Sequence, residues 1–343
     1  MRNLHIPYDK LELIDYEGAG NKTPVLDLNC VKNIAVLDPL MVRMYLEDDI
    51  KFRKWLKAEG LKHQADTVMI YYTIPGCDYQ YVTFIGEPNA PLTSKFSEMC
   101  GNGIRSLALH IYLNNEEKNK KFAIWAGSIK KINIVKVNRK KNSGEVMVDM
   151  GVFVKANFDS VNFLNEITAV SKLKVANHLI FTLGSNGHRQ GGSEPHLVVL
   201  YTWSEFKKLC RQLNITSDAK DTINILRNIV STFGKEVTFA TGIFPYGMNF
   251  NIGVVKDNRI YMATHERSLS ISKESCQLEI QLKTFCKCNT LACGTGGAVV
   301  ANASRLRGLI SNYKQIKTIH PGGEIKYRIT RNTTYMTGPA RKV

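Results

Sequence analysis

The chain carries one short signal twice. Cys100-Gly101-Asn102-Gly103 and Cys293-Gly294-Thr295-Gly296 each stand directly ahead of an apolar run, and the two cysteines are 193 residues apart. In the first run Ile104, Leu107, Ala108 and Ile111 recur at i, i+3, i+4 and i+7, the period of a helix face. The second run, Ala298 to Leu306, is equally apolar. A thiol followed by a glycine-rich turn at a helix start is a chemical arrangement. The first amides of a helix have no intrahelical acceptor, and the helix dipole places positive potential on them. Such a site can lower a thiol pKa and hold a carboxylate. Two copies in 343 residues point to two halves of similar plan.

The rest of the chain can be placed around these units. Residues 11–30 are expected to be strands interrupted by a Gly18-Ala19-Gly20-Asn21 turn, where glycine lets the backbone approach a ligand. Asp38-Pro39 opens a helix expected to run to Gly60 as a surface or edge addition, with Asp as N-cap. Residues 68–85 read as a hairpin around Pro75-Gly76, and 122–137 and 145–150 as strands. The second half is expected to repeat this plan. Strands at 180–183 and 197–201 come first, followed by a helix from Ala219 to Phe233 that stops at Gly234. Strands at 252–255 and 260–264, the second cysteine unit, a stop at Gly308 and final strands at 324–329 and 335–336 complete it.

The formal charge of +16 predicts attraction to acidic ligands. Its lysines and arginines are scattered, and no nucleic-acid motif accompanies them, so nucleic acid is not an expected partner. No apolar run reaches the length of a membrane span and no signal-peptide pattern opens the chain, so a cytoplasmic protein with no membrane partner is expected. The eight cysteines do not have disulfide-framework spacing, and Cys276, Cys286, Cys288 and Cys293 lack a standard zinc-ligand pattern, so no metal is expected.

Two opposed thiols suit one reaction in particular. To invert a carbon bearing an amine, a carboxylate and a hydrogen, a base removes the proton from one face and an acid returns one to the other. A thiolate and a thiol do this in both directions without a cofactor. The helix N-termini are expected to depress the thiolate pKa and to stabilise the charge growing on the carboxylate. A Cys–His nucleophile using His196 is the competing chemistry, and it leaves the repeat unexplained.

With these residues in view, the sequence resembles the diaminopimelate epimerase family. Glu98 to Arg105 looks like that family's first cysteine segment, and Thr290 to Gly296 like its second. Gly18-Ala19-Gly20-Asn21, Phe244-Pro245 with Asn249 and Asn251, His265-Glu266-Arg267, Pro321-Gly322-Gly323 and Thr337-Gly338-Pro339-Ala340 resemble further family segments. The resemblance implies an α/β (α+β) fold of two pseudo-symmetric halves, each a mixed, mostly antiparallel sheet wrapped around a central helix. It implies halves at 1–130 plus 331–343 and at 131–330, with a homodimer as a compatible assembly. It implies cofactor-free interconversion of LL- and meso-diaminopimelate, as in lysine or peptidoglycan synthesis. Cys100 and Cys293 would be the acid–base pair. Asn21, Gly101, Asn102, Asn249, Glu266, Arg267, Gly294 and Thr295 would bind the small-molecule amino acid.

The chain departs from the family pattern where the far end of the substrate is expected. Ser193-Glu194-Pro195-His196 stands in place of Gly-Asn-Pro-His, so Glu194 and His196 are candidate specificity residues. A carboxylate there would repel a distal carboxylate and favour a cation, which leaves a different, basic amino acid as an alternative substrate. A long Ser/Lys/Cys-rich insertion at 269–289 also precedes Cys293.

Overall fold

The computed structural model describes residues 4–65, 67–74, 80–88, 92, 96, 100–114, 121–126, 132–140, 142–155, 173, 178–184, 195–216, 221–238, 248–266, 289–312 and 314–343. The chain divides into two compact units, Met1–Asp149 with Thr337–Val343, and Met150–Met336. The division falls after Asp149, not at residue 130. Strand β8 (Ile132–Lys140) pairs with β7 (Lys121–Ala126), and β9 (Ser143–Asp149) pairs with β8, so residues 132–149 complete the first sheet.

In the first unit β1 (Leu13–Ile14) lies antiparallel to β4 (Val25–Asp27), and β4 runs parallel to β5 (Val68–Thr73). Strand β6 (Gln80–Gly86) returns antiparallel to β5 and runs parallel to β7. Parallel neighbours need a crossover. Helices α1 (Pro39–Asp48) and α2 (Ile50–Lys62) provide the first, and α3 (Gly101–Asn114) the second. The region expected as a single added edge helix is therefore two helices in the crossover between β4 and β5. The chain breaks at Asp49, which leaves helical geometry and accepts a hydrogen bond from the Phe52 amide as N-cap of α2. Val42, Leu46, Phe52 and Leu56 bury their side chains in the core with Leu26, Val68 and Phe84.

The second unit uses the same wiring. Strand β10 (Val152–Lys155) pairs antiparallel with β11 (His178–Gly184), and β11 with β12 (Pro195–Thr202). Strand β12 runs parallel to β13 (Asn249–Lys256) through α4 (Trp203–Gln212) and α5 (Thr222–Thr238). Strand β14 (Arg259–His265) returns antiparallel to β13 and runs parallel to β16 (Ile316–His320) through α6 (Gly294–Leu306). Strand β17 (Gly323–Ile329) closes the series antiparallel to β16, and β15 (Asn289–Thr290) adds a short pairing on β14. From β4 to β8 and from β12 to β17 the order of parallel and antiparallel pairs is identical. Each unit is thus a mixed sheet with a central helix, α3 or α6. Twelve consecutive residues of α3, Gly101 to Tyr112, are buried, as are Gly294 to Ala301 of α6.

Two glycines expected as helix stops differ in role. Gly308 has φ +64° and the Leu309 amide bonds back to the Ser304 carbonyl, so it terminates α6 as read. Gly234 does not terminate α5, which continues to Thr238. A Cβ there would stand 2.5 Å from Cγ of His265, so the residue type answers to close packing on β14. Strand β18 (Thr334–Lys342) leaves the second unit at Met336 and pairs with β2 (Tyr16–Gly18), joining Arg341 to Glu17 and Lys342 to Tyr16. Among the described residues no helix is long and apolar enough to cross a membrane.

Candidate active site

The two cysteines are N-caps, and their surroundings match bond for bond. In the first unit the Gly103 amide donates to Cys100 Sγ at 3.3 Å, and the Ile104 amide donates to the Cys100 carbonyl at 2.9 Å. In the second the Gly296 amide donates to Cys293 Sγ at 3.2 Å, and the Gly297 amide donates to the Cys293 carbonyl at 2.9 Å. Sulfur here takes the part that oxygen plays in a Ser or Asp cap. The arrangement fixes each thiol over a first helical turn whose amides favour negative charge.

The third residue after each cysteine is glycine because the sheet presses against it. A Cβ on Gly103 would stand 2.2 Å from Met69 Sδ, and one on Gly296 would stand 2.4 Å from Asn251 Oδ1. Met69 lies on β5 and Asn251 on β13, which occupy the same place in the two units.

In the first unit the hairpin that carries Asn21 packs on the helix turn that holds Asn102. The turn between β2 and β3 (Asn21–Lys22) uses positive φ at Ala19 and Gly20, pairs Gly18 with Asn21, and buries Asn21. A Cβ on Gly18 would meet the Asn102 carbonyl at 3.1 Å, so this hairpin lies directly on the first turn of α3. Arg105, fully buried, donates to Oδ1 of Asn102. That bond fixes the orientation of the Asn102 amide, with Oδ1 turned toward Arg105. The motif glycine of β18 has its explanation in the same place. A Cβ on Gly338 would fall 1.7 Å from Nη1 of Arg105.

In the second unit Thr295 and Glu266 flank Cys293, and His196 and Asn249 stand on neighbouring strands. Thr295 Oγ1 lies 3.6 Å from Cys293 Sγ. His196 and Asn249 are register partners on β12 and β13, both buried. Asn251 ties the group together. Its Oδ1 accepts from the Thr264 hydroxyl at 2.9 Å, and its Nδ2 donates to the Leu197 carbonyl at 3.2 Å and to His196 Nδ1 at 3.1 Å. His196 consequently carries its proton on Nε2.

The expectation that the helix start depresses thiol pKa fails at Cys293. Burial pushes its pKa well up, and the Glu266 carboxylate adds to this through its charge and by accepting a hydrogen bond from the thiol. The bonds from Thr295 and Gly296 favour the thiolate and are outweighed. The raised pKa keeps Cys293 as S–H. Among the described residues no cluster of three His, Cys, Asp or Glu side chains is placed to hold a metal ion.

Glu194, Arg267, Phe244-Pro245 and the body of the 269–289 insertion lie outside the described residues. His110, ten residues along the chain from Cys100, is engaged between Tyr71 and Tyr16. Two residues sit at the cysteines that sequence reasoning did not select as site residues. Asn251 follows Asn249 at the strand period of two, which places both on one sheet face. Thr67, with Oγ1 3.8 Å from Cys100 Sγ, had no local signal.

No family model matches the chain. Curated relatives do. The chain is 28% identical to the diaminopimelate epimerase of Halothermothrix orenii over 254 residues, 72% of each chain. It is 25% identical to that of Clostridium perfringens over 279 residues, 80% of this chain and 81% of that one. Among solved structures, a predicted epimerase from Pseudomonas aeruginosa superposes with a TM-score of 0.57 over 97% of both chains at 12% identity, a likeness of fold. By sequence the chain is thus linked to the diaminopimelate epimerase family, and its fold is like that of the predicted epimerase from Pseudomonas aeruginosa.

Proposed function

We propose that the chain is a cofactor-independent epimerase that exchanges the α-proton of diaminopimelate between Cys100 and Cys293. The observation that carries the reading is the paired N-cap geometry, two thiols held in the same way by the third amide of a buried central helix. Likeness to curated epimerases over more than two thirds of the chain supports an enzyme of the isomerase type.

In the proposed reaction the substrate carboxylate binds at first-turn amides of Gly101, Asn102, Gly294 and Thr295. Asn21, Asn102 and Asn249 supply further polar contacts. Cys100 as thiolate takes the α-proton. The pair of electrons left on carbon delocalises into the carboxylate, where the amides stabilise it; one such donor is worth roughly 3–4 kcal/mol. Cys293 gives its S–H proton to the opposite face, leaving Cys100 as thiol and Cys293 as thiolate. For the return direction Cys293 must lose its proton, which the Glu266 carboxylate resists. The substrate ammonium, paired with Glu266, would cancel that charge and let Cys293 serve as base. Arg267 would bind the distal carboxylate as a bidentate partner.

The test is deuterium exchange at the α-carbon of LL-diaminopimelate in heavy water, read together with formation of the meso isomer. Loss of both in Cys100→Ala and Cys293→Ala supports the mechanism, and retained interconversion in either variant refutes it. A second reading, a two-cysteine racemase of another, basic amino acid, rests on Glu194 in place of the family's asparagine. Chiral chromatography of a panel of L-amino acids separates the two, since turnover of diaminopimelate alone dismisses it.

A further inference from the structure

The repeat between the units gives Thr67 a meaning it lacks alone. Met69 packs on Gly103 as Asn251 packs on Gly296, so these two strand residues are equivalent. Two residues earlier on the same faces stand Thr67 in the first unit and Asn249 in the second. Asn249 is a proposed substrate contact in the second unit. Thr67 occupies the matching place in the first, immediately ahead of β5.

Its geometry is well fixed. Strand β5 lies between β4 and β6, with Met69 opposite Val25 on one side and Ile85 on the other. Alternate residues along it meet α3 in order. Thr67 reaches Cys100, Met69 covers Gly103, and Tyr71 bonds to His110. The Thr67 hydroxyl lies 3.8 Å from Cys100 Sγ, within hydrogen-bonding range of sulfur. The second cysteine also has a hydroxyl beside it, from Thr295 in the second position of α6. Position two of α3 is Asn102, whose Oδ1 is taken by Arg105, so in the first unit the hydroxyl comes from the sheet instead.

We infer that Thr67 is a positioning residue that donates its hydroxyl proton to the Cys100 thiolate and fixes the sulfur in the orientation from which it accepts the substrate α-proton. This deepens the proposed epimerase reading and rests on it for the final step, but the hydrogen bond itself is testable without substrate. A hydroxyl can donate to a thiolate and accept from a thiol, so it serves Cys100 in both protonation states. Valine keeps the size and branching of threonine and deletes only this group.

The experiment is iodoacetamide alkylation of Cys100 across pH 5–10, read by mass spectrometry of the peptide containing Cys100, in the full chain and without substrate. Thr67→Val should move the midpoint up by about 0.5–1 pH unit, the size expected for loss of one modest hydrogen bond to the charged form. Thr67→Ser should restore it. An unchanged midpoint in Thr67→Val, or no restoration in Thr67→Ser, overturns the assignment. The midpoint of Cys293, read in the same digests, should not move; a parallel shift there would mark a general structural effect and also overturn it. If the midpoint responds as expected while α-proton exchange is absent from the wild-type chain, the hydrogen bond stands and the epimerase reading fails.

Discussion

Lowering the pH from 7.5 to 5 should destabilise the first unit by about 2 kcal/mol through His110 alone. This side chain is buried on α3 between Tyr16 and Tyr71 and stacks edge-on against both rings. The Tyr71 hydroxyl donates to Asp27 Oδ2 at 2.8 Å, so its oxygen accepts from His110 Nε2–H at 3.1 Å. That leaves Nδ1 as the acceptor for the Tyr16 hydroxyl at 3.2 Å. Both ring nitrogens are thus engaged with a neutral imidazole, and the Asn114 amide stands beside them, 3.1 Å from Nε2 and 3.3 Å from Nδ1. Burial is the main cause that brings the His110 pKa from 6.5 down to about 4, with Asp27 opposing and Lys342 assisting. Between these values the unfolded chain binds more protons than the folded one, so stability falls as the pH falls. The loss is absent above about pH 7.5, reaches about 2 kcal/mol at pH 5 and about 3 kcal/mol at pH 4, then levels off. His110→Gln removes the titration. Urea unfolding, followed by hydrogen exchange of the α3 amides, should show the wild type losing this margin relative to the variant. A difference between the two that stays flat within about 0.5 kcal/mol from pH 7.5 to pH 5 would refute the argument.

Other expectations follow from single contacts. Glu266→Gln removes the carboxylate charge beside the Cys293 thiol, so alkylation of Cys293 should begin at lower pH in the variant, with burial still holding it above a free thiol. Gly234→Ala puts a methyl 2.5 Å from His265 and should cost about 1–3 kcal/mol by overpacking, whereas Gly308→Ala meets nothing and should cost only about 1 kcal/mol of backbone strain; thermal melts rank the pair. Gly338→Ala should be worse than either, because the atom it meets is on the fully buried guanidinium of Arg105. Thr202→Ala breaks the capping box of α4, in which the Thr202 hydroxyl accepts from the Glu205 amide and Glu205 accepts from the Thr202 amide. It should cost about 1 kcal/mol in a denaturant titration of the second unit.

The parts legible in sequence are those written in local chemistry. The cysteine caps are visible because cysteine, glycine and a helical period adjoin in the chain, and Gly308 is visible because a helix end asks for positive φ. The capping box Thr202-x-x-Glu205 was legible too, and the helix it opens was missed with it. What resisted reading depends on distant partners. Gly234 has the same local appearance as Gly308, and only the presence of His265 on β14 decides its role. The break at Asp49 lies inside a continuous helical pattern, where one side-chain cap is enough to divide it. The pKa of Cys293 follows local expectation until burial and Glu266, 27 residues earlier, overrule the helix start. Thr67 is 33 residues from Cys100 and carries no motif. Only the register of β5 against α3 brings it there.

Strand β18 imposes an order on synthesis. Everything in the first unit up to Asp149 leaves the ribosome early, but the strand that pairs with β2 and lies over Arg105 is made only after the whole second unit. A nascent chain can close the second sheet while the first still lacks a strand. Until Gly338 arrives, Arg105 has one side open to water and the α3 helix is incompletely enclosed. The first cysteine's half should therefore be the last to become native, and a released chain truncated after residue 330 should hold a protease-resistant second unit and a cleavable first one.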